Sequence, residues 1–498
     1  MKIGKYILSL DQGTTSSRAV LFDAMGGIAG MGQREFTQIY PNPGYVEHDA
    51  VEILQTQLYA MRQAVAEAAI SADDIAAISI TNQRETTVAW DSVTGIPVCN
   101  AIVWQCRRTA PTCEWLKAEG HEAYIKETTG LIIDPYFSGT KMKWILDNVP
   151  RAKELAAQGR LRFGTIDTWL IFCLTEGESY VTDVTNASRT MLFDIKKLCW
   201  DEKLMGIFGV PQSALPEVVD SSAVVGYCAD TVFGRRIPIA GIAGDQHAAL
   251  FGQCCFEKGM AKNTYGTGCF VLMNTGDTPV FSEQGLLTTI VWKIGDKVTY
   301  ALEGSAFNAG SAIKWLRDEL KLIESPQEAD MLAETVSDTG GAVFVPAFTG
   351  LGAPYWDMYA RGALLGVTRG TGKAHVCRAA LDSIAYESLD LFEAMEAGSG
   401  VKISELRVDG GASRSRFLMQ YQSDILHCTV RQPVCLETTA LGSAMLAGLA
   451  VGVWDSQEEL ETIWKLRKEY VPSIESGAEM PAVKRWHKAV ERSMHWED

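Results

Sequence analysis

Three glycine-rich turns could hold phosphate: Asp11-Gln12-Gly13-Thr14-Thr15, Thr264-Tyr265-Gly266-Thr267-Gly268 and Val408-Asp409-Gly410-Gly411-Ala412. Each follows a short apolar run that reads as a strand. Loops of Gly, Thr and Ser let backbone N–H groups and hydroxyls approach an anion closely. The Asp11 carboxylate repels phosphate, but it can hold a divalent cation that meets phosphate. The chain has no G-x-x-x-x-G-K-[ST] run, so this is not a Walker A loop. Taken alone, the first turn is equally a hairpin with a polar tip. Asp245 ends a second kind of turn, Gly241-Ile242-Ala243-Gly244, between an apolar run and an Ala-rich one. A carboxylate fixed there is the candidate general base: a hydroxyl acceptor loses its proton as its bond to phosphorus develops. The structural alternative is that Asp245 caps the helix that begins at Gln246.

Gln83-Arg84-Glu85 puts charge at the inner end of an apolar strand, which is costly unless the charges are paired or bind something polar. Two donors and an acceptor there suit a polyol. Adjacent residues of an extended chain face opposite ways, so both charged groups reach one ligand only if the strand has ended. The alternative is a buried salt bridge. Trp104 and Phe270 read as core aromatics, whereas Tyr136, in a Ser/Gly loop, needs a partner for its hydroxyl if buried.

These residues need elements to hold them. Tyr6–Leu10 and Arg18–Phe22 form the first hairpin, and Asp49 caps a helix running to Ala69. Strands are expected at 75–82, 86–90 and 101–105, a loop entering a helix at 136–148, and a strand-like run at 184–193. The segment 237–253 is strand, turn and helix, and 260–274 repeats the strand–turn–strand plan of the first hairpin. That weak repeat, about half a chain long, suggests duplication of one α/β domain with a boundary near Gln253. A strand ends in the diglycine at 406–411, helices follow at 415–426 and 439–451, and a charged surface helix anchored by Trp486 and Trp496 closes the chain. Ligands bind beyond the carboxyl ends of strands in such sheets, so three glycine turns suit a nucleotide lying across two domains.

The chain has 498 residues, too many for one core of ordinary size, and a net charge of −16. That charge argues against nucleic acid or an anionic membrane as partner and for a cytoplasmic location. The twelve cysteines lack C-x-x-C spacing and read as reduced, mostly buried thiols. The basic and then apolar start, MKIGKYILSLDQG, is too short before Asp11 for a signal peptide. No run of about twenty apolar residues is long enough to span a bilayer, so no membrane insertion is expected.

DQGTTSSRAVLFD, ITNQRETTVAWD, AIVWQCRRT, GIAGDQ, ALFGQ, NTYGTGCFVLMNTG and VDGGAS with FLMQ together make the chain resemble, essentially end to end, the carbohydrate-kinase family named for its FGGY motif. Within it, the likeness is to members that act on glycerol. The spaced sets Tyr136, Ser138, Lys141, Met142, Trp144, Ile145, Asp147, Asn148 and Gly362, Leu364, Gly366, Val367, His375, Val376, Ala379–Asp382 are similar to the family's longer signatures. The resemblance implies an α/β fold of two duplicated domains of the actin and hexokinase (ribonuclease H-like) type, with the catalytic cleft between them. Residues 1–253 would carry the glycerol site and phosphate loop, and residues 254–498 the nucleotide site. It implies ATP-dependent phosphorylation of glycerol to sn-glycerol 3-phosphate, the first step of glycerol catabolism, with Mg²⁺.

By position, Thr14, Thr15, Ser16 and Arg18 would meet the phosphates, with Asp11 as the metal ligand. Thr267, Gly310, Lys314, Gly411 and Ser415 would line the rest of the nucleotide site. Arg84, Glu85, Tyr136, Asp245 and Gln246 would hold glycerol, Trp104 and Phe270 would pack on its carbons, and Asp245 would be the base. Two positions depart: Ser415 stands where Asn is common, and Lys314 where Gln is frequent. The loop 230–236 has no His, so the phosphohistidine switch of some members is not expected. Its Gly234 and Arg236 do match a fructose bisphosphate contact of others. The tail beyond Val471 does not resemble the regulator-binding tail of certain members. A homo-oligomer, dimer or tetramer, is expected. The competing readings are a kinase for another polyol or a keto-sugar, and a non-catalytic nucleotide sensor, which would need Asp11 or Asp245 lost.

Overall fold

Runs rich in Ile, Val, Leu and Phe become the buried centres of two sheets, and polar turns at their ends make the working surface. A computed structural model describes residues 5–477 and 479–497. Met1–Gly4, the basic part of the N-terminal run considered above, lie outside the described residues.

The first half contributes strands β1 (Tyr6–Gln12), β2 (Ser16–Asp23), β3 (Ile28–Glu35), β4 (Ile75–Asn82), β5 (Val224–Cys228) and β6 (Ile237–Gly244). They form one sheet in the order β5-β6-β4-β1-β2-β3. β1 and β2 pair antiparallel with Asp11 opposite Arg18, while β4 runs parallel to β1 with Thr81 opposite Asp11. Its helices include α1 (Ala50–Glu67), α2 (Ser138–Asn148), α3 (Val184–Ala187) and α4 (Asp245–Gly252). Asp49 caps α1 as expected, its side chain accepting from the N–H groups of Val51 and Glu52.

The second half repeats the plan. Its strands are β7 (Met260–Tyr265), β8 (Cys269–Gly276), β9 (Leu287–Ile294), β10 (Lys297–Ala306), β11 (Glu405–Asp409), β12 (Val430–Pro433) and β13 (Leu466–Tyr470). The sheet order is β9-β10-β8-β7-β11-β12-β13. A hairpin again sets Thr264 opposite Phe270, and a parallel neighbour sets Asp409 opposite Thr264. In both sheets an antiparallel meander is extended by parallel strands; two of the glycine turns join the first strands of the meanders, β1 to β2 and β7 to β8, and the third follows the parallel strand β11. Helices α5 (Gly310–Asp318), α6 (Lys373–Ser399), α7 (Arg416–Leu426) and α9 (Met480–Ser493) belong to this half, and α8 (Thr438–Val451) crosses to the first sheet.

The halves are stitched together by α8. Its small residues let it lie against α4 and β6 of the first sheet: a Cβ on Gly442 would stand 1.8 Å from the Ala248 carbonyl oxygen. Likewise a Cβ on Gly241 would stand 2.4 Å from the Ala447 nitrogen, so neither position admits a side chain without moving backbone. Ser443 also bonds Ser9 at 2.8 Å, buried between helix and sheet.

Four local expectations are corrected. The run 184–193 is not a strand, because the Asp183 carboxylate accepts from the N–H groups of Thr185 and Asn186 and so starts the short α3. The strand expected at 101–105 ends after Ile102, and the Trp104 N–H then donates to Thr86 Oγ1 at 3.2 Å. The strand expected from Thr86 begins at Val88, because Glu85 takes a left-handed backbone with φ of 60°. Trp486 is fully buried and donates to Asp390 at 2.7 Å, but Trp496 is 70% exposed and anchors nothing. The twelve cysteines are free, and all but Cys199 are buried or half-buried. No described helix is long and apolar enough to cross a membrane.

Candidate active site

The carboxyl ends of β1, β4 and β6 bring Asp11, the Arg84-Glu85 pair and Asp245 to one edge of the first sheet. Arg84 and Glu85 do not pair tightly with each other, their closest approach being 4.0 Å. The φ of 60° at Glu85 turns the chain, so neighbours in sequence no longer alternate as on a strand. Arg84 places its two terminal nitrogens on both oxygens of Glu303, at 2.7 and 2.8 Å, and its Nε 3.2 Å from Asp245 Oδ1. Glu85 instead accepts from Arg189 Nε at 2.6 Å, and Arg189 also reaches Glu303 at 3.2 Å. The buried salt bridge weighed for the pair is thus real, but its partners come from elsewhere in the chain. Two guanidinium groups hold the Glu303 carboxyl well below its usual range although it is buried.

Asp245 opens α4, and its Oδ1 accepts the Gln246 N–H at 2.7 Å. Asp245 is thus not the cap of the helix, as the alternative had it: Gly244 holds that place, and the Asp245 side chain keeps 31% of its surface open. Gly244 before it is a requirement of packing: a Cβ there would stand 2.7 Å from Arg84 Cγ. Tyr136, at the entry to α2, accepts from Arg84 at 3.3 Å. Burial pushes its phenol up, so it stays protonated. Trp104 meets it edge-on at 5.5 Å and donates its indole N–H to Thr14 Oγ1 at 3.1 Å, tying Tyr136 to the β1–β2 turn. Phe270 is half-buried on β8, opposite Thr264 and Ser305.

In the β1–β2 turn, Ser16 accepts from Gln33 at 2.9 Å and Thr15 is exposed. Arg18 is committed to Glu437 of the second half. Burial, with Glu437 and Asp245 nearby, raises the Asp11 carboxyl to about 7 against the opposing pull of Arg18. A crowded carboxylate of this kind, short of positive partners, fits a hard divalent cation, which prefers oxygen ligands and supplies the missing charge.

A cavity of about 520 Å³ opens on the second half. Thr267, Gly310, Lys314, Gly411 and Ser415 all line it, so every nucleotide position expected there is brought together. Glycine is needed where its walls cross: a Cβ on Gly310 would stand 2.7 Å from the Gly266 carbonyl oxygen. Gly410 has φ of 85° and faces the Tyr265 backbone. Ser415 caps α7 and donates to Asp330 Oδ1 at 2.7 Å, and Asp330 lines the same cavity. Gly234 and Arg236 lie apart from all of this, at the opposite end of β6 from Asp245, roughly 25 Å away at the rise of a strand. Arg236 there is ion-paired with Glu178.

Comparison with known proteins decides the family. Residues 6–252 match the N-terminal domain of the FGGY family of carbohydrate kinases, and residues 261–451 match its C-terminal domain. The chain belongs to the FGGY family of carbohydrate kinases. It is 58% identical over 493 residues to glycerol kinase 2 of Thermotoga maritima, covering 99% of each chain. It is 57% identical over 494 residues to the glycerol kinase of Caldanaerobacter subterraneus, again covering 99% of each. Among solved structures, Plasmodium falciparum glycerol kinase with ADP superposes with a TM-score of 0.94 at 38% identity, covering 98% of both chains. A xylulose kinase from Lactobacillus acidophilus shares the fold, with a TM-score of 0.85 at 23% identity and coverage of 98% and 97%.

Three residues of this FGGY kinase escape a reading by motif: Arg189, Glu303 and Lys262. All three are buried beside Arg84, Glu85 or Gln246, and Glu303 and Lys262 each carry a charge inside an apolar run. The signal that singles out Arg84 and Glu85, charge where burial is costly, was present for Glu303 in YALEGSAF and for Lys262 in GMAKNTYG.

Proposed function

We propose that this FGGY kinase transfers the γ-phosphoryl group of ATP to glycerol, giving ADP and sn-glycerol 3-phosphate as the first step of glycerol catabolism. The observation that carries this is full-length identity of 57–58% to curated glycerol kinases, together with an Asp245 carboxylate held beside Arg84 at 3.2 Å. Glycerol would lie among Arg84, Glu85, Tyr136, Asp245 and Gln246, with its carbons against Trp104 and Phe270. As the acceptor oxygen bonds to phosphorus and the bridging P–O bond to ADP breaks, Asp245 accepts the hydroxyl proton. Thr14, Thr15, Ser16 and Arg18 would meet the phosphates, and Thr267, Gly310, Lys314, Gly411 and Ser415 the rest of the nucleotide. Asp11 would hold Mg²⁺, which when bound offsets phosphate charge. The aromatic wall excludes water, which would otherwise compete as acceptor.

The chain divides, in this reading, near residue 253, where the first sheet is complete and the second begins. The protein is cytoplasmic, in keeping with its net charge of −16. It works as a homo-oligomer, dimer or tetramer, which light scattering tests. Gly234 and Arg236 form a contact for fructose bisphosphate, and millimolar fructose bisphosphate is expected to inhibit; an indifferent enzyme rules that out. Turnover on glycerol, dihydroxyacetone and xylulose tests the acceptor. Glycerol is expected to lead, and a preference for xylulose would move the assignment to another member of the family.

A further inference from the structure

The Lys262 side chain, on β7, is completely buried beside the acceptor site. Its ammonium donates to Gln246 Oε1 and, at 3.0 Å, to Thr264 Oγ1 two residues on along the same face of the strand. Burial lowers Lys262 to about 8, while the carboxylates of Asp409 and Asp245 favour its charged form. One side chain thus links the first residue after the candidate base to the strand leading into the Thr264–Gly268 turn at the nucleotide end.

An ammonium has three donors and no acceptor, so the Gln246 atom that meets it must be the amide oxygen. The Gln246 NH₂ group therefore points the other way. It donates to none of the described residues, and the half-buried side chain leaves it available to a ligand. Without Lys262 the amide could rotate by half a turn and present its oxygen instead.

We propose that Lys262 is a positioning residue of the acceptor site: it fixes the Gln246 amide so that Nε2 is the donor offered to a glycerol hydroxyl oxygen. This rests on the glycerol assignment above. A donor held in one orientation before the substrate arrives loses little rotamer freedom on binding, so affinity for the acceptor depends on the lysine although the lysine never touches it.

A double-mutant cycle tests the inference: wild type, Lys262→Met, Gln246→Ala and the double variant, each assayed for KM and kcat with glycerol and with ATP. Lys262→Met is expected to raise the glycerol KM roughly tenfold and the ATP KM less than about twofold; in the Gln246→Ala background it adds less than about twofold, because coupled residues do not add. An equal effect in both backgrounds, or an equal rise in the ATP KM, overturns the inference. If Lys262→Met does not fold, Lys262→Arg, which keeps the charge but shifts the donors, goes through the same cycle with the same two outcomes. A wild type that releases no ADP with glycerol contradicts the substrate assignment instead, and the cycle is then read on the polyol that the wild type does phosphorylate.

Discussion

The charged cluster around Arg84 and the cavity on the second half are built by opposite means. At the acceptor end, Arg84, Glu85, Arg189, Glu303 and Lys262 are buried and bound to one another or to near neighbours before any ligand is present. At the nucleotide end, a cavity of about 520 Å³ is bounded by glycine turns, with Ser415 and Asp330 bonded to each other. The first is a fixed constellation of charges in a dry place, where a misplaced group costs much. The second relies on backbone that comes close because side chains are missing. In the proposed reading, discrimination among acceptors would then belong to side chains, and accommodation of the nucleotide to shape.

Substitutions that break each end should separate cleanly. The largest effect is expected from Glu303→Gln, which keeps the shape but removes the carboxylate that the buried Arg84 and Arg189 share. Loss on the order of 3–5 kcal/mol is expected in urea unfolding, with a sharply raised glycerol KM. The same substitution removes a pH dependence. Glu303 is held below its ordinary value, so its contribution is complete above the unfolded pKa and is lost as pH falls through the folded one. Stability of the wild type should accordingly fall more steeply in acid than that of Glu303→Gln. Unchanged stability in both measurements would mean that the cluster is not what orders the acceptor end.

Next in size is Gly310→Ala. Its Cβ would stand 2.7 Å from the Gly266 carbonyl oxygen and force the cavity walls apart. The ATP KM should rise roughly tenfold, about 1.4 kcal/mol, with the glycerol KM unchanged. A rise in both would show that the two ends move together. The smallest effect belongs to Ser415→Ala. Loss of the α7 cap costs about 1 kcal/mol of stability, read in thermal unfolding, while kcat stays within about twofold.

The same contrast explains what was legible in the sequence. The glycine end is written locally: DQGTT, TYGTG and VDGGA each announce a strand and a tight turn, and the structure sets all three at strand ends. Asp245 was legible as a strand-to-helix junction, but Gly241 to Gly244, read as a turn, belong to β6 itself, which passes directly into α4 at Asp245. The charged cluster was half legible. The unusual cost of Arg84 and Glu85 in an apolar run could be read, but not their partners, because Glu303 lies 219 residues from Arg84, on the other sheet, and only the packing of the two halves brings it near. The run at 184–193 misled because its β-branched residues suggest a strand, while one capping carboxylate, Asp183, outweighs them locally. Trp496 misled for the reverse reason: an aromatic near a chain end has no periodic partner to show which way it faces.

Glycerol-dependent ADP release with Mg·ATP, wild type beside Asp245→Asn, tests the central claim most directly. The fixed acceptor end predicts strong activity in the wild type and a loss of roughly a thousandfold in the variant, because proton acceptance and the Arg84 contact fail together. Equal rates in the two would contradict the claim and leave Asp245 as no more than the first residue of α4.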